Sequence, residues 1–176
     1  MKLGKKRIHI APVGFEVDRV VIPAVDNKAD KVYLLVHNNK KEDKAVPYAE
    51  RIIKQLKANK IESEKIQVNW RDVESITKSA RRLILEQFGN DIFVNVASGS
   101  KNHAIALDRA IMTLEDQSGI VEFYAESEKY EGFKPGKQQL STGVKDTKTI
   151  PKRQMILPTG KLRDALSILY KNNLKQ

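Results

Sequence analysis

The chain has 176 residues, of which 40% are hydrophobic and 31% charged, a balance typical of a globular protein with a real core. It has no cysteine, which excludes disulfides, thiolate metal sites and cysteine nucleophiles. No apolar run reaches the roughly 20 residues of a membrane span, and the basic N-terminus lacks a hydrophobic signal segment. We therefore expect a cytoplasmic protein with no membrane partner.

The excess of positive charge has two readings. The 32 Lys and Arg against 22 Asp and Glu give a formal net charge of +10. A charge of this sign favours polyanionic partners such as nucleotides and nucleic acids. It equally fits a lysine-rich solvated surface of the kind enriched in thermophiles. Charge alone therefore identifies no ligand.

Five predicted β-strands alternate with helices along the first 125 residues. The strands are 7–12, 31–36, 65–70, 92–96 and 119–125, and the helices follow at about 19–25, 43–58, 73–89 and 104–116. This order predicts an α/β fold, a Rossmann-like doubly wound and mainly parallel sheet. Ligands of such sheets bind beyond the carboxyl ends of the strands. We therefore expect one shared rim for the polar turns at 12–19, 37–39, 69–72 and 98–103.

The chain changes character after residue 125. Residues 126–136 are polar and are predicted to form a loop, and β-prone pieces at 147–150 and 154–157 suggest a hairpin. A last amphipathic helix is predicted over 159–176, with Leu162, Ala165, Leu166 and Leu169 facing inward. This predicts a short C-terminal hairpin and helix extension to the sheet.

The turn after the fourth strand carries the strongest chemical signal. Ser98, Gly99, Ser100 and Lys101 join a buried strand to the start of a helix. Such a junction gathers free backbone N–H groups and the positive end of the helix dipole, and anions such as phosphate bind there readily. The alternative is an ordinary capped turn, with Ser100 as the N-cap and Lys101 solvated.

Several common chemistries lack their motifs. The first strand–helix turn, residues 12–16, has no glycine triplet for a dinucleotide, and residues 98–102 do not match a nucleotide-triphosphate loop. No Gly-x-Ser-x-Gly elbow of a serine hydrolase is present. The three histidines have no zinc-ligand spacing, so we expect neither a metal nor a cofactor.

Four further residues have both a structural and a functional reading. Asn95 lies within an apolar strand and must find partners, either as a tie between neighbouring turns or as a ligand contact. His37 ends a strand and could face the rim, and His103 begins a helix beside the 98–101 turn. Arg19 is a charge at a helix start that could also reach a phosphate.

Two of these segments resemble a CARF domain, the CRISPR-associated Rossmann fold. The matching segments are 9–15, followed by Asp18 and Arg19, and 94–101. The resemblance covers roughly residues 6–125 and is nearest to archaeal CARF proteins with a C-terminal winged helix-turn-helix that act as transcriptional regulators. The family motif has a second glycine after Gly99, where this chain has Ser100.

The resemblance implies a homodimeric sensor that binds a cyclic oligoadenylate, most simply cyclic tetra-adenylate, and regulates transcription or a CRISPR-linked antiviral response. A cyclic nucleotide with two-fold symmetry would match two pockets that meet across a dimer axis. Phe15 would either stack on adenine or simply pack. The implied ligand-binding residues are Pro12, Val13, Gly14, Phe15, Arg19, His37, Asn95, Ser98, Gly99, Ser100, Lys101 and His103.

Several alternatives stay open. Some relatives cleave their ligand without a metal, and in such a ring nuclease Lys101, Ser98 and His103 would be the catalytic candidates. The basic surface would also suit direct nucleic-acid binding, and a structural dimer with an idle pocket is a further reading. We expect a sensing domain at 6–125, a linker or dimer element at 126–158, and a helix at 159–176 that could begin a truncated DNA-binding module.

Overall fold

A six-stranded sheet forms the centre of the chain in the computed structural model, which describes residues 4–132, 139–153 and 160–173. Its strand order is β3-β2-β1-β4-β5-β8, and all neighbours are parallel except the antiparallel pair β5 and β8. A separate pair, β6 and β7, is antiparallel. The strands are β1 Arg7–Pro12, β2 Lys31–His37, β3 Glu62–Val68, β4 Asp91–Asn95, β5 Ile120–Glu126, β6 Lys129–Tyr130, β7 Ser141–Thr142 and β8 Asp146–Thr149.

Helices cover both faces of the sheet, and each face has its own apolar core. The helices are α1 Asp18–Asp26, α2 Val46–Ala58, α3 Val73–Glu86, α4 Lys101–Met112 and α5 Gly160–Asn173. Side chains of α1 and α2 share one buried cluster, and those of α3 and α4 share the other. This confirms the Rossmann-like α/β sheet expected from the alternation of strands and helices.

The strand order fixes where a ligand site can lie. β1 pairs with β2 on one side and with β4 on the other. Successive strands are therefore added towards one edge of the sheet from β1 to β3, and towards the opposite edge from β4 onwards. The crevice beyond the carboxyl ends of two such strands is where ligands of open α/β sheets bind. The turns that follow Pro12 and Asn95 therefore lie side by side.

Some element boundaries differ from the sequence expectation. β3 spans 62–68 rather than 65–70, because its pairing with β2 begins at Glu62. The helix expected from residue 43 begins at Val46, and those expected to reach 89 and 116 end at Glu86 and Met112. The loop after β2 is therefore longer than the sequence pattern suggested.

The C-terminal part differs most. The segment expected to be loop contains β6, which pairs with β7, and Asp146–Thr149 forms β8, which pairs with β5. Residues 154–157, the other half of the expected hairpin, lie outside the described residues. The apolar side of α5 was expected to face inward, but Leu162, Leu166 and Leu169 are all exposed in the described chain. Among the described residues, no helix is both long and apolar enough to span a membrane.

Candidate ligand-binding site

A cavity of about 620 Å³ opens at the carboxyl ends of the parallel strands. It is bounded by the turns after β1 and β4, the loops after β2 and β3, and one residue of the segment before β7. The lining residues are Val13, Gly14, Phe15, Glu16, Arg19, His37, Glu42, Asp43, Lys44, Ala45, Trp70, Arg71, Ala97, Ser98, Gly99, Ser100, His103 and Leu140. The expectation that the four polar turns share one rim is confirmed.

Two glycines let the turns after β1 and β4 touch through their backbones. A Cβ on Gly14 would lie 2.8 Å from the Gly99 nitrogen, too close for any side chain. Gly99 has φ +81°, and a Cβ there would lie 2.7 Å from Cβ of Pro12. Since a non-glycine residue is strained at this φ and would also clash, both glycines are required by the geometry.

Asn95 ties these turns together from below. Its side-chain amide donates to the Arg19 carbonyl at 2.7 Å, and its Oδ1 accepts from the Ala97 N–H at 2.8 Å. The residue is 1% exposed and does not line the cavity. Asn95 therefore has the first of its two expected roles, as a structural link between neighbouring turns.

His103 and Ser100 begin α4 with a mutual contact. Ser100 is the N-cap, its N–H donates to Nδ1 of His103 at 3.1 Å, and its hydroxyl lies 2.9 Å from the same nitrogen. Burial lowers the pKa of His103 to about 4, with a further lowering by His37 and an opposing effect of Asp43. The imidazole is therefore neutral at pH 7, with its proton on Nε2.

Arg19 is buried rather than solvated at the start of α1. Its guanidinium bonds to Glu16 at 2.8 Å and to the Ala125 carbonyl at 2.8 Å, and lies 4.8 Å from the Tyr124 ring centre. Burial lowers the pKa of Arg19, but Glu16 and Tyr124 outweigh it and raise that pKa above its ordinary value. Arg19 thus lies at the start of α1, as expected, where it forms a buried ion pair with Glu16.

The opposite side of the cavity is built from the loops after β2 and β3. Arg71 bonds to Glu42 at 3.0 Å and lies 5.3 Å from the ring centre of Trp70. His37 packs edge-on against Trp70, and its Nε2 lies 4.0 Å from the Glu42 carboxylate. The Arg71 and Glu42 side chains are 63% and 46% exposed, so their ion pair is solvated.

Buried polar atoms without partners concentrate around the cavity. Within the part of the chain that the structure describes, Nη2 of Arg19, Nε2 of His37, Oγ of Ser98 and Nε2 of His103 make no hydrogen bond. All four residues line the cavity. An unpaired buried polar group destabilises a fold by about 1–3 kcal/mol, so four at one place indicate a surface that binds a polar molecule.

Most residues expected at the site line the cavity, and three do not. Pro12 lies behind Gly99, Asn95 lies beneath the turns, and Lys101 is exposed at the first position of α4. Phe15 lines the cavity and also packs against Tyr48, with ring centres 5.3 Å apart. The phosphate-binding role expected of Lys101 stays a prediction.

Other lining residues were not singled out from the sequence. Trp70, Arg71 and Glu16 lie in turns that were expected at the rim, so strand order alone could have suggested them. Residues 43–45 were assigned to a helix that begins at Val46, and Glu42 lies just before them in the loop after β2. Leu140 had no local signal, since it is brought to the cavity by a backbone bond from its N–H to the Phe15 carbonyl at 3.0 Å.

Nothing in the described ranges suggests a metal centre. No group of three or more His, Asp or Glu side chains is arranged to hold an ion among residues 4–132, 139–153 and 160–173. The charged and polar side chains that line the cavity are two guanidinium groups, one ammonium group, three carboxylates, two imidazoles and two hydroxyls, beside backbone N–H groups. These groups suit a nucleotide-like ligand with phosphate and base.

The parallel sheet, with a polar cavity where its strand order reverses, is a Rossmann-like α/β domain. A family model described as HFX_2341_N-like, N-terminal, matches residues 7–130, and the chain belongs to that family. The uncharacterized protein MJ1513 of Methanocaldococcus jannaschii is 31% identical over 130 residues, which are 69% of this chain and 38% of MJ1513. The chain thus spans well under half the length of this curated relative.

Solved structures share the fold. Can2 from Sulfobacillus thermosulfidooxidans, in complex with cyclic tetra-adenylate, is 22% identical with a TM-score of 0.54 over 69% of this chain and 32% of Can2. Csm6 from Enterococcus italicus, bound to cyclic hexa-2′-fluoro-hexa-dAMP, is 12% identical with a TM-score of 0.56 over 76% of this chain and 36% of Csm6. At the level of fold, these matches support the CARF-like domain that the sequence motifs suggested.

Proposed function

We propose that this domain is a sensor that binds a cyclic oligoadenylate in the cavity between the turns after β1 and β4. The observation that carries the proposal is the group of four unpaired, buried polar atoms around that cavity. A phosphate would take donors from Arg19, from the Ser98 hydroxyl and from the first N–H groups of α4, where the helix dipole adds favourable potential.

The structural neighbours support this class of ligand. Can2 and Csm6 each hold a cyclic adenine nucleotide, and both share this fold. A direct nucleotide site also agrees with the net charge of +10, because an anionic ligand is attracted to a cationic protein. Cyclic tetra-adenylate is the ring we expect to bind.

The active unit is proposed to be a homodimer. A cyclic tetranucleotide has two-fold symmetry, so two identical cavities related by a two-fold axis would each hold half of the ring. One ring per two chains is therefore the expected stoichiometry. Output through transcription, by a DNA-binding module of which α5 would be part, is a further element of the proposal.

Calorimetric titration with cyclic tri-, tetra- and hexa-adenylate tests the proposal, with linear oligoadenylate as the control ligand. Saturation at one ring per two chains supports it, and no binding of any cyclic ring contradicts it. Ser98→Ala should weaken binding at least tenfold while leaving the melting temperature unchanged or higher, because the hydroxyl has no partner in the described free chain. Ser118→Ala, at an exposed loop position, is the matched control and should bind like the wild type.

The same titration separates the alternatives. Chromatography of the ligand after incubation would reveal a ring nuclease as loss of the cyclic form, and that loss should be absent in Lys101→Ala. Steeply salt-dependent binding of duplex or single-stranded nucleic acid, without binding of any cyclic ring, would favour direct nucleic-acid recognition. Both readings stay predictions from the sequence.

A further inference from the structure

Two histidines on opposite sides of the cavity each have one ring nitrogen engaged and the other unpaired. His37 is the last residue of β2 and is 8% exposed, while His103 lies in the first turn of α4 and is 4% exposed. Both line the cavity, and neither Nε2 has a hydrogen-bond partner among the described residues. In each ring the partner of Nδ1 determines whether Nε2 donates or accepts a hydrogen bond.

His103 is a hydrogen-bond donor at Nε2. Its Nδ1 accepts the Ser100 N–H at 3.1 Å, so that nitrogen carries no proton and the neutral ring must carry it on Nε2. Burial lowers the pKa of His103 to about 4, which keeps the ring neutral near pH 7. Nδ1 lies close to Gly99, and Asp43 and His37 both act electrostatically on the His103 imidazole.

His37 is a hydrogen-bond acceptor at Nε2 when its ring is neutral. Its Nδ1 lies 3.4 Å from the Val68 carbonyl, and a carbonyl only accepts, so Nδ1 carries the proton. The Glu42 carboxylate, 4.0 Å from Nε2, is too distant for a hydrogen bond. The two histidines therefore present one donor and one acceptor to the same cavity.

We propose that His103 and His37 together read the base of the ligand, with His103 Nε2–H donating to a ring nitrogen of adenine and His37 Nε2 accepting from its 6-amino group. The inference rests on the proposed function. Adenine carries a ring-nitrogen acceptor beside its 6-amino donor, which matches the donor at His103 and the acceptor at His37. Hypoxanthine and guanine carry an oxygen at position 6, which would face the unprotonated His37 nitrogen.

The exposed side chain of Glu42 lies beside His37 at the cavity. Its carboxylate is 4.0 Å from Nε2 of His37 and is held by Arg71 in a solvated ion pair. Such exposed pairs contribute little to stability, so a base can displace them readily. Trp70, against which His37 packs, then remains as a fixed aromatic surface beside the base.

Asparagine variants of the two histidines distinguish a role in base recognition from a role in folding. In His103→Asn the side-chain oxygen can still accept the Ser100 N–H, and in His37→Asn the side-chain amide can still donate to the Val68 carbonyl. Both variants keep the hydrogen-bonding group at the Nδ1 position and lose Nε2 together with the neighbouring ring carbon. Each should fold like the wild type by thermal melting and should bind cyclic tetra-adenylate at least tenfold more weakly.

Base-substituted rings supply the second readout. The wild type should bind cyclic tetra-adenylate at least a hundredfold more tightly than cyclic tetra-inosinate, because a polar site rejects a ligand that leaves its buried groups unpaired. His37→Asn should reduce that ratio at least tenfold. His9→Phe, which replaces a buried histidine outside the cavity, is the control and should keep the ratio.

Two results would overturn the proposal in different ways. Equal binding of the adenine and inosine rings by the wild type, or undiminished binding by both asparagine variants, would contradict base recognition by the two histidines but not the sensor function. No binding of any cyclic ring by the wild type would contradict both the sensor function and base recognition.

Discussion

The two sides of the cavity are held in opposite ways. The floor, residues 12–19 and 95–100, is fixed by backbone contact between two glycines, by the buried amide of Asn95 and by a buried ion pair. The wall, residues 37–45 and 69–71, includes an exposed ion pair between Glu42 and Arg71, beside the Trp70 ring on which His37 packs. The floor is therefore part of the folded core, while the Glu42 and Arg71 side chains of the wall can rearrange at small free-energy cost.

This difference indicates a division of work. A phosphate must meet donors at fixed positions, so the floor gains from rigidity because little entropy is lost on binding. A base must enter the cavity before it is recognised, so side chains of the wall that can move make this entry easier. Changes to the groups that join the two turns of the floor should therefore alter the free energy of unfolding, whereas changes to the unpaired Ser98 hydroxyl or to the wall should alter ligand affinity.

The largest effect is expected at Gly99. Gly99→Ala places a Cβ against Pro12 in a left-handed conformation and should lower the unfolding free energy by about 4 kcal/mol, from overpacking and backbone strain together. Denaturant unfolding measures it. Gly89→Ala is the matched control, because Gly89 also has a positive φ, +94°, but nothing lies within 4 Å of its Cβ. If both variants lose the same amount, the contact between the turns is not as described.

Asn95→Ala should have the next largest effect. It leaves the Arg19 carbonyl and the Ala97 N–H without a partner, which should lower the unfolding free energy by about 3 kcal/mol. Asn59→Ala is the control, since the Asn59 amide makes an exposed bond to the Gln55 carbonyl and should change stability by less than about 0.5 kcal/mol. Equal losses in the two variants would argue against Asn95 as the link between the turns.

The protonation of His103 should make the unfolding free energy depend on pH. Its pKa is about 4 in the folded protein against 6.5 for an ordinary histidine, so between these values the unfolded chain binds more protons. The contribution of neutral His103 to the unfolding free energy is therefore at its maximum above pH 6.5 and decreases as the pH falls towards 4. Between pH 7 and pH 5, His103→Asn should lose about 2 kcal/mol less than the wild type.

A second histidine serves as the comparison for that measurement. Burial also lowers the pKa of His9 to about 4, where it stacks on Phe93 away from the cavity. His9→Phe should flatten the pH profile by a similar amount without changing ligand binding. Parallel pH profiles for His103→Asn and the wild type would show that His103 is not held neutral by the floor.

The smallest effect on stability is expected in the wall. Glu42→Gln and Arg71→Gln remove an exposed ion pair and should each change the unfolding free energy by no more than about 0.5 kcal/mol. Glu42→Gln should also tighten binding of a cyclic oligoadenylate severalfold, because it removes a negative charge near an anionic ligand. A large loss of stability in either variant would mean that the wall is as fixed as the floor.

The sequence by itself determined the fold class and the position of the site. Apolar β-branched runs alternating with amphipathic helices allow few topologies, since parallel strands need helical crossovers of one hand. The carboxyl ends of the strands must then share an edge, so the turns holding Gly14, Ser98 and His103 were expected together. The resemblance of the same turns to CARF motifs pointed to the ligand class.

Which polar groups already have hydrogen-bond or ion-pair partners is visible in the tertiary structure alone. The sequence left Asn95 and Arg19 both open to a ligand contact, yet Asn95 is used in two backbone bonds and Arg19 forms a buried ion pair with Glu16. Contacts between distant parts of the chain, such as that between Leu140 and Phe15, leave no periodic pattern. Pairing partners depend on distances between residues far apart in the chain, and local propensity carries no record of those distances.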